Sequence, residues 1–331
     1  MGRDFAAQPS FHSAPCGYGR TIPPRRGQLT AAFRVPFSGL STTHYAPRTT
    51  HHVIRHSLFI VRPLDRGKIL TRTRVASALV LLPIVAIFVQ VGGWWFFGGM
   101  TAIALLATWE FVQMMRHKGH APNVPLAFAF ALASLVSMQL AHRAWLFPAL
   151  SGLLMASLVW QMAQAQSKAP VVDWALTVVG GGYIGLGMAH LLGLRLLPQG
   201  YAWVWLALLG TWGCDTFAYF VGRAVGRHKF WPRLSPKKTW EGVLAGVPGG
   251  MFGAWLATLF SSIPVFHALI LGLLIAIVAP LGDLSISMMK RYAGVKDSSH
   301  LIPGHGGMLD RVDSVLFVAI TVFYYALWVV V

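Results

Sequence analysis

The sequence predicts an all-α polytopic membrane protein, with about nine transmembrane helices behind a disordered N-terminal tail. Three observations carry that reading. Hydrophobic residues make up 55% of the 331 residues and charged ones only 11%, a balance outside that of water-soluble domains. From about residue 75 the chain is a succession of apolar stretches, each near the roughly 20 residues that cross a hydrocarbon core. The basic residues behind the net charge of +17 gather in the tail and in alternate loops between those stretches.

Residues 1–67 hold nine arginines, no lysine, five histidines and two acids among scattered Pro, Ser and Thr, with no sustained periodicity. Such a composition cannot bury enough apolar surface to order itself, so this segment is expected to be disordered. The plain reading is an unstructured tail without function; its Arg-rich, acid-poor character also resembles an organellar transit peptide, and a start site further downstream would make the tail a gene-model artefact.

The expected spans are 75–92, 95–115, 124–141, 145–162, 172–193, 201–222, 241–260, 266–283 and 313–331. Placing residues 66–74 in the cytoplasm puts seventeen basic residues of the loops on that side and two, Arg143 and Arg195, on the other. The N-terminus is then inside, the C-terminus outside, and the polar motifs cytoplasmic. Trp94, Trp95, Trp145, Trp203 and Trp231 fall near span ends, as interfacial anchors do. Gly180, Gly181, Gly182, Gly185 and Gly187 read as close helix packing rather than a nucleotide loop, because no strand precedes them. Cys16 and Cys214 cannot form a disulfide framework, and Cys214 inside an apolar run reads as a small packing residue. Nucleic-acid binding is excluded as the meaning of the charge, since the cations follow the spans rather than forming one patch.

Acidic residues single out the chemistry. The chain has ten, and six of the eight beyond the tail lie between residues 215 and 313, although a carboxylate near a bilayer costs a few kcal/mol on insertion scales. Three blocks follow. Asp215 and Tyr219, four residues apart on one helical face, precede Gly222 and Arg223; a structural ion pair to a basic loop is the plain alternative for Asp215. The run SPKKTWEG at 235–242 places Lys237 and Lys238 beside the start of the seventh helix, where Ser235 or Thr239 can cap it and phosphate can bind. The third block, 283–313, begins with Asp283, Ser287 and Lys290 on one face, followed by Arg291 and Lys296. It continues through a turn containing His305, Gly306 and Gly307, and ends on Asp310 and Asp313. Carboxylates from two helices beside hydroxyl and lysine neighbours suit hard, oxygen-loving cations, Mg²⁺ above all; no Cys or His set has zinc spacing.

The run Ser287, Met289, Lys290, Arg291, Lys296, Asp297, Ser299, Ile302, Pro303, His305, Gly306, Gly307, Asp310, Arg311 and Asp313 resembles the signature of the phosphatidate cytidylyltransferase family, the CDP-diacylglycerol synthases. Asp215, Tyr219, Gly222 and Arg223, then SPKKTWEG, resemble that family's earlier motifs in the same order. The similarity covers about residues 70–331, and Ile286 departs from it where many members carry Glu. The resemblance implies a membrane-embedded cytidylyltransferase domain over 68–331, with its motif-rich catalytic half at about 205–331. It also implies an enzyme that makes CDP-diacylglycerol and pyrophosphate from CTP and phosphatidate in the inner (plasma) membrane, with its site on the cytoplasmic face.

On that reading Asp283, Ser287, Lys290, Asp310 and Asp313 are catalytic, and Asp283, Asp310 and Asp313 hold Mg²⁺ with a second cation, K⁺ or another Mg²⁺. Asp215, Arg223, Lys237, Lys238, Arg291, Lys296, His305, Gly306 and Gly307 bind substrate. The partners are CTP, phosphatidate and the bilayer, with a homodimer left open. A CTP-dependent lipid-alcohol kinase would share the embedding and the phosphate site. An ion transporter would spread its acids through the membrane depth rather than gather them beside lysines.

Overall fold

The computed structural model describes residues 82–140, 143–299, 301 and 306–331. The basic tail at 1–67 and His305 lie outside the described residues. The rest is a helical bundle. Its helices are α1 (Leu82–Val91), α2 (Gly93–His117), α3 (Val124–Gln139), α4 (Arg143–Ala163), α5 (Pro170–Leu196) and α6 (Gly200–Val225), then α7 (Trp240–Thr258), α8 (Val265–Ala293) and α9 (Leu309–Tyr325). Between α6 and α7 two short strands, β1 (Lys229–Trp231) and β2 (Ser235–Thr239), pair antiparallel, where the sequence predicted only a loop.

Six helices among the described residues, α2, α4, α5, α6, α8 and α9 with its extension to Val330, are long and apolar enough to cross a membrane. The protein is therefore an all-α polytopic membrane protein apart from its hairpin. The other expected spans look different. Helix α3 has 16 residues, α1 is described only from Leu82, and α7 has 19 residues but is diluted by Glu241 and a run of glycines.

Local chemistry fixes the ends. Asn123 caps α3, accepting from the Leu126 N–H at 2.9 Å, and Pro170 opens α5 where a missing N–H costs nothing. At the end of α1, the Arg195 guanidinium donates to the carbonyls of Val89 (2.8 Å) and Gln90 (3.2 Å), serving acceptors that the helix leaves unpaired. Helix α8 closes on Gly294 in the left-handed region, φ 76°. It runs ten residues past the expected span end: residues 284–293 continue the helix with Ser287 and Lys290 buried, while Arg291 and Tyr292 are exposed.

Helix packing matches the glycine reading in part. Gly181 and Gly185 face Ala127 and Ala131 of α3 with no space for a Cβ, whereas a Cβ at Gly182 would meet nothing within 4 Å among the described residues. Cys214 is buried against Gly246, as a small packing residue would be. Of the tryptophans read as interfacial anchors, Trp94, Trp95, Trp145 and Trp231 are exposed. Trp203 is not: it is buried, and its indole N–H donates to the Pro198 carbonyl at 3.1 Å.

Candidate active site

The polar residues converge from four elements. Helix α6 supplies Asp215, Tyr219 and Arg223 from its C-terminal half. The hairpin supplies Lys229, Lys237 and Lys238, and these six side chains line one cavity of about 540 Å³. The hairpin is held by Glu241 in the first turn of α7, whose carboxylate accepts from His228 Nδ1 (2.7 Å) and from the His228 N–H (3.1 Å). Its register sets Lys229 opposite Thr239, so the lysines of both strands reach the same cavity.

Thr239 links hairpin and helix. Its hydroxyl accepts from the Gly242 N–H at 3.3 Å and caps α7. Thr239→Ala is expected to cost about 1 kcal/mol, read as a lower thermal midpoint in detergent; an unchanged midpoint would mean that the Thr239 cap does not stabilise α7.

A carboxylate cluster forms against the wall of that cavity. Asp283 on α8 is ion-paired with Lys238, and its Oδ1 accepts from Ser287 Oγ at 3.4 Å, one turn along. The Asp283 and Asp313 carboxyls are within hydrogen-bonding reach of each other, and Asp215 is within electrostatic reach of Asp283, Lys238 and Arg311. Like charges this close are relieved by a proton or a cation.

Asp310 belongs to a second network. Its Oδ1 accepts from Lys290 Nζ at 2.6 Å, in an ion pair with both side chains about nine-tenths buried. Its Oδ2 accepts from the Ser298 N–H (2.8 Å) and the Gly307 N–H (3.1 Å), with Ser298 Oγ 2.9 Å away. The expected set of Asp283, Asp310 and Asp313 is thus not gathered as one group of ligands. Lys290 joins the two networks, since its charge also acts on Asp283 and Asp313.

Among the described residues no three His, Cys, Asp or Glu side chains stand ready as a closed metal cage. The donor chemistry nonetheless fits a hard cation. Asp283 and Asp313 offer oxygen only, and the nearby Tyr183 hydroxyl is buried without a hydrogen-bond partner among the described residues, within electrostatic reach of Asp313.

Other expected residues fall outside this cluster. Arg291 is exposed and donates to the carbonyls of Leu234 (3.3 Å) and Val295 (3.1 Å), tying the hairpin turn to the end of α8. Lys296 is exposed on the following loop, and Gly306 adopts φ 80°. Ile286 is fully buried in the apolar core, so this chain offers no carboxylate where many members of the resembled family do.

Two residues escaped the sequence reading. Lys229 gave no signal because the strand that aims it is three residues long. Glu110, a fully buried acid inside an apolar helix, carried the general signal of an expensive intramembrane charge.

These features define a polytopic α-helical membrane protein whose carboxylates and lysines meet on α6, the hairpin, α8 and the first turns of α9. The chain belongs to the cytidylyltransferase family, whose sequence pattern matches residues 72–329. It is 35% identical over 287 residues to a phosphatidate cytidylyltransferase of Synechocystis sp., an alignment covering 76% of this chain and 95% of that protein. It is also 35% identical over 280 residues to one of Pseudomonas aeruginosa, covering 78% and 97%.

Proposed function

We propose that this chain transfers CMP from CTP to phosphatidate, giving CDP-diacylglycerol and pyrophosphate for phospholipid biosynthesis. The observation that carries the reading is the Asp283–Asp313 pair, flanked by Lys238 and Lys290, beside a cavity that displays three lysines and Arg223. A phosphate oxygen of phosphatidate attacks the α-phosphorus of CTP. The bond from that phosphorus to the bridging oxygen breaks, and the electron pair leaves with pyrophosphate.

Both reactants are anionic, so the barrier is lowered by cations and alignment rather than by proton transfer. Lys229, Lys237, Lys238 and Arg223 hold phosphate oxygens. Ser287 and Lys290 orient the reacting groups; Arg291, Lys296 and Gly306 contact substrate from outside that cluster, and the buried Gly307 serves Asp310 with its N–H. Asp283 and Asp313, faced by Asp215, would hold Mg²⁺ and a second cation, K⁺ or Mg²⁺, which supplies neutralisation of the triphosphate. Asp310 acts through Lys290.

In this reading residues 68–331 form one membrane-embedded domain with its catalytic half at about 205–331. The nine apolar segments span the inner (plasma) membrane with the N-terminus in and the C-terminus out, so the site meets cytosolic CTP; a homodimer is compatible with it. The test is purified protein with labelled CTP, phosphatidate and Mg²⁺. Label in the lipid extract together with free pyrophosphate is the expected result, whereas CDP plus an unlabelled phospholipid would mean a kinase. EDTA should stop the reaction and added Mg²⁺ restore it, and full activity in EDTA would remove the cation from the scheme.

A further inference from the structure

Glu110 lies on α2, 188 residues from Ser298 in sequence, and is fully buried. Among the described residues its four hydrogen-bond donors are uncharged and come from Ser298, Ser299, Met308 and Leu309, before and at the start of α9. Oε1 accepts from Ser299 Oγ (2.6 Å) and the Met308 N–H (2.8 Å); Oε2 accepts from Ser298 Oγ (2.8 Å) and the Leu309 N–H (2.8 Å). Each oxygen therefore takes one hydroxyl and one backbone amide. Met308, at the cap position of α9, supplies no side-chain cap of its own, so a carboxylate from another helix does the capping.

The same contact reaches the site. Ser298 Oγ lies within hydrogen-bonding distance of both Glu110 and Asp310, and a Cβ at Gly307 would fall on Ser298 and the Glu110 carboxylate. We infer that Glu110 is a positioning residue: it clamps the start of α9 to α2, fixing Asp310 against Lys290 and setting Asp313 beside Asp283. The inference rests on the reaction proposed above.

The test compares the full chain, purified in detergent, with Glu110→Gln and Ser299→Ala. Glutamine keeps the shape, but its NH₂ must face one of the two backbone N–H groups, which then loses its acceptor whichever way the amide turns. Hydrogen exchange at Met308 and Leu309 should accelerate about tenfold or more, the size of one lost hydrogen bond to a charged group. In the same protein kcat for CMP transfer should fall about tenfold or more while KM for CTP moves less than about threefold. Ser299→Ala should shift both in the same direction by less, and it carries the test alone if Glu110→Gln does not accumulate.

Unchanged exchange overturns the proposal, as does faster exchange with unchanged kcat. A fall in kcat no larger than the loss of folded protein in the same samples makes Glu110 merely structural and overturns it too. Wild-type protein that makes no CDP-lipid would sink the proposed reaction instead; the exchange measurement needs no substrate and still decides whether Glu110 holds α9.

Discussion

Asp310→Asn is expected to lower CDP-lipid formation by about a hundredfold or more, the scale of losing a preorganised electrostatic partner. Two effects add. The Lys290 ammonium, about nine-tenths buried and bonded to Asp310 at 2.6 Å, loses its counter-charge, and breaking such a pair costs about 3–5 kcal/mol of stability. The uncovered ammonium is then expected to turn towards Asp283 and Asp313, on which it already acts, and to compete there with the cation proposed for that pair. Asp313→Asn serves as the contrast. It removes one member of the proposed cation pair while leaving Lys290 paired, so its activity should recover in part at raised Mg²⁺, whereas that of Asp310→Asn should not. Label in lipid extracts, alongside thermal midpoints in one detergent, reads both effects. Normal turnover by Asp310→Asn would remove the Lys290 pair from the mechanism.

That division among the aspartates marks where the sequence stopped being informative. Asp310 and Asp313 are three residues apart, a spacing that puts side chains on one helical face. Asp310, however, is the second residue of α9, where side chains lean back towards the preceding loop and find free amides. It turns to Ser298 and Gly307 while Asp313, one turn on, meets Asp283. Spacing fixes a face; it does not say what the loop before the helix offers.

The long apolar helices were legible because hydropathy over about 20 residues is a strong signal, and Gly181 and Gly185 showed their packing role by composition. The hairpin was not legible. SPKKT has no alternation of apolar residues, and its strands are defined by pairing and by the Glu241–His228 contact across 13 residues. Glu110 was visible as an anomaly, but its partners lie nearly 200 residues away, beyond any local pattern.

The seam between α6 and α7 makes the site depend on backbone distance, and Gly253→Val is expected to show it. A Cβ at Gly253 would land on the Leu209 carbonyl of α6, and backbone cannot step aside as a flexible side chain can. Overpacking of this kind costs about 1–3 kcal/mol or more, with the helices forced apart. Helix α6 carries Asp215 and Arg223, while α7 is capped by Thr239, next to Lys238, so separation widens the cavity between these groups and activity should fall with stability. Gly98→Ala on α2 is the matched control. Among the described residues nothing lies within 4 Å of its added Cβ, and alanine gains about 1 kcal/mol of helix propensity over glycine. Thermal midpoints in one detergent should therefore move in opposite directions, down for Gly253→Val and level or up for Gly98→Ala. Equal midpoints would mean that the α6–α7 contact yields without cost, and the rigid wall on which Asp215 faces Lys238 would have to be abandoned.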